Sequence, residues 1–176
     1  MIETIVIEPI GLDLRQQVLE RTEWYIASAE EVLARSFERI PVLFDLKGTT
    51  AGMFRAHGRA REIRYNPWVF AKYWDVNLES TVPHEVAHYI VHEVYGAGRV
   101  RPHGEEWQAL MHYFDADPEV TFKLDLADVP QRRQRTHPYR CDCRDHQVST
   151  TRHNRISKGS GQYLCRYCNG RLVYAD

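Results

Sequence analysis

The chain has 176 residues, 43% of them hydrophobic and 27% charged, with a formal net charge of −1, a profile that fits one good core with room for a small satellite. No apolar run is long enough to span a bilayer, and the start, MIETIVIEPIGLDLRQQ, has acids where a secretory leader would carry positive charge. A cytoplasmic protein with no membrane partner is therefore expected, and in that reducing setting the four cysteines read as metal ligands or free thiols rather than disulfides.

Residues 12–37 place Leu14, Val18, Tyr25, Ala29, Val32 and Leu33 at mostly helical spacings and predict a long amphipathic helix. After Pro41, VLFDL reads as a strand, and TTAGMFRA and REIRYNP, separated by HGRA, read as a hairpin. PWVFAKYW opens on Pro67 and predicts a short helix. In the next helix Asn77 is the expected cap and Gly96 the expected left-handed end, while Pro83, which lacks an N–H for the bond back to Glu79, predicts a kink. GEEWQALMHYF is a further helical pattern. From Val129 onward the composition shifts to Pro, Gln and Arg, and all four cysteines lie beyond it. The expected domains are residues 1–128 and 129–176.

Charge divides along the same line. Residues 131–176 carry ten Lys/Arg (including Arg132 and Arg133) and three acids, Asp142, Asp145 and Asp176. This tail is therefore about +7, leaving −8 for the rest. An acidic body with a basic appendage points to a polyanionic partner for the appendage.

The chemistry is concentrated in ESTVPHEVAHYIVHEVYG, residues 79–96. Residues four apart on a helix lie about 6 Å apart along its axis on one face, so His84 and His88 can turn imidazole nitrogens to a single ion. Glu85, rotated by about 100°, can flank that ion without binding it and take a proton from metal-bound water. A catalytic zinc needs a third protein ligand and one open position. His92 lies about 12 Å along the axis from His84, and His112 sits half a turn away from the expected start of its helix. His103 precedes Gly104 after a short loop containing Gly96, Gly98 and Pro102, which lets the chain reverse, and is the favoured candidate.

VPHEVAHYIVHEVYGAGRVRPHGEEW resembles the SprT family of bacterial proteins, relatives of the eukaryotic Spartan proteases. In that family an H-E-x-x-H helix is followed by an H-G-x-x-W/F segment whose histidine is the third zinc ligand. The matching residues are His84, Glu85, His88, His103, Gly104 and Trp107. TTAGMFRAHGRAREIRYNP is similar to the family's strand pair before the active-site helix, and YRCDCRDHQVSTTRHNRISKGSGQYLCRYC to its C-terminal zinc-binding region. The interval from His88 to His103 departs from the compact metzincin spacing. The resemblance implies an α+β fold with a zincin-like metalloprotease core and a small antiparallel hairpin or sheet, followed by a zinc-ribbon-like unit. It also implies a zinc-dependent endopeptidase acting on protein trapped on DNA, hence near the nucleoid, with Glu85 as general base. An extended substrate could pair with the edge strand near Thr50–Phe54 or Glu62–Tyr65. Tyr89, Tyr95 and nearby backbone N–H groups are all candidates for stabilising the oxyanion.

Cys141 and Cys143 are separated by 21 residues from Cys165 and Cys168, a gap long enough for a hairpin. Facing cysteine pairs are a strong signal for a second, structural zinc, with the C-x-x-C pair as a knuckle. The single residue between Cys141 and Cys143 is tight for such a knuckle, and Cys143 with His146 restores the usual gap, so His146 is the alternative to Cys141. So small a unit would draw its folding energy from the metal. Arg140, Arg144, Arg152, Arg155, Lys158 and Tyr163 are the candidate nucleic-acid contacts, with Tyr163 and Tyr167 expected on the strand facing the first cysteine pair. Arginines interleaved with aromatics suit single-stranded or distorted DNA without strong sequence preference. Two other readings stand beside the protease: a non-catalytic zinc-containing nucleic-acid-binding protein, and a hydrolase of small amides.

Overall fold

A computed structural model describes residues 7–118, 124–130 and 135–175. Arg132, Arg133 and Asp176 of the basic tail lie outside the described residues. The protein is α+β and divides into two units, residues 1–131 and 132–176.

The first unit opens with helix α1 (Leu12–Leu33). It stops four residues earlier than the periodicity predicts, because Ala34 turns left-handed, with φ 47°. Its core stripe is Val18, Thr22, Tyr25, Ile26 and Ala29, so Ile26 joins the expected face while Val32 and Leu33 are exposed. Strands β1 (Val42–Leu43), β2 (Gly52–His57) and β3 (Ala60–Tyr65) form a sheet in the order β1-β3-β2. The β2–β3 hairpin is antiparallel as expected, but β1 pairs parallel to β3, so the sheet is mixed. β3 is paired on both sides, which removes Glu62–Tyr65 as an edge for another chain. β2 has a free edge. Asn66 N–H donates to Ala51 O, so by strand alternation Gly52, Phe54 and Ala56 turn their backbone groups outward.

Asn66 then caps helix α2 (Pro67–Lys72), its side-chain oxygen accepting from the N–H groups of Trp68 and Val69. A short α3 (Trp74–Val76) runs into a π-helical turn (Asn77–Thr81) and on into α4 (Val82–Tyr95) without a break. The kink expected at Pro83 takes the form of this wider turn, in which Val82 N–H donates to Asn77 O five residues back. Asn77 is therefore not the N-cap of α4. It is buried, donating from its side-chain nitrogen to Val69 O and Tyr73 O. α4 ends at Gly96, whose φ is 84° as only glycine readily permits, but its ψ of 165° extends the chain rather than coiling it left-handed. Helix α5 (Glu105–Tyr113) closes the unit. The core packs α1, α4, α5 and β3 through Tyr25, Ile63, Tyr65, Val86, Ile90 and Trp107.

The second unit is a sheet in the order β5-β4-β6, made of β4 (Thr136–Cys141), β5 (Arg144–Ser149) and β6 (Val173–Tyr174). Between the cysteine pairs lie β5, the second arm of the β4–β5 hairpin, and then helix α6 (Thr150–Ser157). Its paired threonines, histidine and asparagine are weak helix formers, and its half-buried side, Thr150, His153 and Ile156, holds a single aliphatic residue. The core is small: Tyr139, Cys141, Val148, Cys165 and Leu172.

Candidate metal centres

Among the described residues two groups are arranged to hold a metal ion: His84, His88 and His103, and Cys141, Cys143, Cys165 and Cys168.

The first group is built by α4 and the loop before α5. The four-residue spacing puts the Nε2 atoms of His84 and His88 3.1 Å apart, and His103 Nε2 lies 2.9 Å from His88 and 3.2 Å from His84. His103 reaches them from a left-handed backbone, φ 57°, a strain of about 1 kcal/mol that points to a positional demand. A neutral imidazole has one N–H, so three ring nitrogens turned to one point cannot all satisfy one another. Nitrogens about 2.0–2.1 Å from a tetrahedral ion would stand roughly 3.3 Å apart, and this triangle is close to that. Burial, then His103, holds the His84 pKa down to about 4; burial, then His84 and His103, holds His88 down to about 3. Burial also lowers His103. All three are therefore neutral at pH 7, ready to bind.

Trp107 forms the floor. It is buried, its ring lies 4.7–5.7 Å from all three imidazoles, and its indole N–H donates to His84 O at 3.3 Å. Glu85 sits beside the group at 6% exposure, and its Oε2 accepts the Phe54 backbone N–H of the β2 edge at 2.6 Å. Burial raises its pKa to about 7, against the pull of that N–H. Gly52 makes the approach of β2 to α4 possible, for a Cβ there would lie 2.6 Å from Thr81 Cγ2 and 2.7 Å from Glu85 Cγ. The sequence reading missed Gly52 and the Phe54 anchor. A glycine inside a strand pattern is a signal of close backbone approach, and it could have pointed to the first.

The other candidates fall away from this point. His92 packs on Phe54 and Glu93, and His112 is exposed on α5. Tyr89 is buried with its hydroxyl donating to Glu38 O, and Tyr95 is exposed at the far end of α4, so neither reaches a developing oxyanion beside His84.

In the second group the C-x-C spacing works because Asp142 and Cys143 are the two-residue turn of the β4–β5 hairpin, whose closing pair is Cys141 and Arg144. Cys165 and Cys168 form a knuckle in which Tyr167 N–H points to Cys165 Sγ and Gly170 N–H to Cys168 Sγ, each at 3.4 Å. Sulfur–sulfur distances of 3.4–3.7 Å are near the roughly 3.8 Å expected around one tetrahedral ion. His146 Nε2 stands 3.2 Å from Cys141 Sγ, placed to donate to that sulfur rather than replace it. Burial resists ionisation of Cys141, but His146 and local N–H groups bring it to about 5. Cys143, next to Arg144 but facing Cys141, Cys168 and Cys165, is pushed up to about 12. Four sulfurs this close could all ionise only with a cation among them.

Around this centre Arg140 pairs with Asp145, Arg144 stacks over the Tyr167 ring at 3.5 Å, and Arg152 lies 5.4 Å from the Tyr163 ring. The Arg155 guanidinium reaches the Tyr163 hydroxyl, and Lys158 is exposed just past α6. Neither tyrosine is on a strand. Tyr163 packs against the small core, and the freely exposed ring is Tyr167, at 75%.

Residues 22–125 match the model of the SprT-like family. The chain is similar to protein SprT of Pasteurella multocida strain Pm70, 35% identical over 161 residues that make up 91% of this chain and 93% of that one. It is 33% identical over 163 residues to protein SprT of Shewanella oneidensis strain MR-1, covering 92% and 100% of the two chains. Against protein SprT of Escherichia coli strain K12 / DH10B the identity is 35% over 165 residues, covering 93% and 96%.

Proposed function

The chain belongs to the SprT-like family, and we propose that it is a zinc-dependent endopeptidase with a zincin-like core, acting in the cytoplasm, at the nucleoid, on proteins bound or crosslinked to DNA. The observation that carries this reading is the convergence of His84, His88 and His103 Nε2 within 2.9–3.2 Å of one another, with Glu85 and an open cavity alongside.

When bound, zinc supplies Lewis acidity, lowering the pKa of a water molecule and polarising a scissile carbonyl. His84, His88 and His103 hold the ion, and Trp107 beneath them fixes their ring planes. Glu85, with a pKa lifted by burial to about 7, takes a proton from the attacking water and returns it to the leaving amine. The Phe54 N–H aims that carboxylate from the substrate-facing edge of the sheet. The outward backbone groups of β2 other than the Phe54 N–H receive an extended substrate, so recognition leans on main chain. With both tyrosines out of reach, the oxyanion is left to backbone N–H groups.

Cys141, Cys143, Cys165 and Cys168 would hold a second, structural zinc, a role their clustering supports. The exposed arginines 140, 144, 152 and 155, Lys158 and the Arg144–Tyr167 stack support binding of single-stranded or distorted DNA through phosphates and base stacking, without strong sequence preference. The decisive comparison is zinc-loaded protein against Glu85→Gln, with a DNA-binding protein as substrate, with and without single-stranded DNA. Cleavage requiring both Glu85 and DNA is expected. DNA binding without any Glu85-dependent cleavage would make the histidine site structural, and cleavage indifferent to DNA would separate the protease from the basic unit.

A further inference from the structure

Next to Glu85, on the Gly52 side of the β2 edge, the structure has a cavity of about 250 Å³. Its wall joins His84 and Glu85 to Gly52, to Val69 of α2, to Asn77 and Thr81 of the π-helical turn, and to Leu124 and Leu126. Apart from His84 and Glu85, the described residues of the lining carry no ionisable side chain. The polar atoms of its floor are consumed among themselves: Thr81 Oγ1 donates to Asn77 Oδ1 at 2.8 Å, and Asn77 Nδ2 donates to Val69 O and Tyr73 O. Thr81 thereby turns its methyl toward Gly52. What faces the space is hydrocarbon from Val69, Thr81, Leu124 and Leu126, with exposed Thr49 and Thr50 at the rim.

The geometry points to this cavity as the side-chain subsite of the peptidase, taking an uncharged aliphatic, thioether or aromatic residue that flanks the scissile bond. The assignment rests on the endopeptidase reading and adds a side-chain preference to it. A segment lying along Gly52, Phe54 and Ala56 passes directly over Glu85, and the residue leaving the strand at Gly52 drops its side chain into the cavity. A charged side chain there would give up its hydration with no partner of opposite sign among the described lining residues other than the Glu85 carboxylate itself. An apolar one gains by burial, and a leucine is expected to be favoured over glycine by roughly 10–100-fold.

The test uses the zinc-loaded full chain and three peptidyl hydroxamates that differ only in one side chain: isobutyl, hydrogen or carboxymethyl. Calorimetry should show the isobutyl compound binding at least tenfold tighter than the other two. Leu126→Asp, at a half-buried position in the cavity wall, should erase that margin, and Leu124→Asp should do the same. Mass-spectrometric mapping of cuts in an unfolded protein should show the matching shift, from apolar residues for the native chain to Lys or Arg for Leu126→Asp. Equal affinities for the three compounds, tight or absent, or a margin untouched by both variants, would overturn the assignment. Isobutyl-selective binding with no cleavage of any protein would leave the subsite standing and remove the endopeptidase reading instead.

Discussion

Replacing Gly52 by alanine tests the coupling of the β2 edge to Glu85. The added Cβ would lie 2.6 Å from Thr81 Cγ2, 2.7 Å from Glu85 Cγ and 2.9 Å from Glu85 Oε1. Carbon atoms rest about 3.5–4.0 Å apart, so strand and helix must separate by about 1 Å. Overpacking of this kind costs about 1–3 kcal/mol, which for a chain of this size lowers Tm by about 3–9 °C. The larger effect falls on chemistry, because the same displacement pulls the Glu85 carboxylate from the Phe54 N–H that aims it. A misplacement near 1 Å lowers turnover by about 100-fold. None of the three histidine ligands is among those contacts, so zinc stoichiometry should stay at the native value. The measurements are calorimetric Tm, bound zinc by mass spectrometry, and cleavage of an unfolded protein. Adding Thr81→Ser removes the methyl at 2.6 Å and should restore part of the stability without restoring turnover, since both Glu85 contacts remain. Native Tm and native turnover in Gly52→Ala would refute the reasoning.

Trp107→Phe keeps most of the buried ring but deletes the N–H bond to His84 O, and should weaken zinc binding by about tenfold in a chelator competition. Trp107→Ala should in addition cost about 3–5 kcal/mol of stability, read from denaturant midpoints. In the metal-free chain His84 and His88 stay neutral in the fold down to about pH 4 and about pH 3 but protonate near 6.5 when unfolded, while Glu85 is protonated in the fold below about 7 and only below about 4.5 when unfolded. Between pH 6.5 and 4.5 the unfolded state therefore binds two more protons at the histidines and one fewer at Glu85. Acidification lowers stability by about 1.4 kcal/mol per pH unit from these groups, and Glu85→Gln should double that slope in urea titrations; an unchanged slope would contradict the burial of Glu85. Chelation, or Cys165→Ser, should abolish amide-exchange protection over β4 and β5 while protection in α4 persists, because the core of the second unit is five residues.

Legibility in the sequence follows the range of the interaction that creates each feature. The alignment of His84 with His88 was readable because helical geometry alone sets it, and Pro67 announced its helix because the start is a local backbone property. α6 was missed because its residues are weak helix formers and its half-buried stripe, Thr150, His153 and Ile156, is mostly polar and does not stand out as an apolar period. Val32 and Leu33 share the apolar period of α1, yet Ala34 turns the chain away and leaves them exposed. The tight C-x-C pair looked unfavourable only until the hairpin turn beneath it was seen.

By itself the sequence determined the candidate ligand types, the four-residue spacing of the first two histidines and the C-x-x-C spacing, since each depends on covalent distance and a single turn of backbone. The tertiary structure decided that His103 turns back to within 3.2 Å of both partners, that β2 rather than β3 is the open edge, and that Gly52 admits the strand against Glu85. Those depend on how separate elements pack, and packing is a property of the whole core that no short stretch of residues encodes.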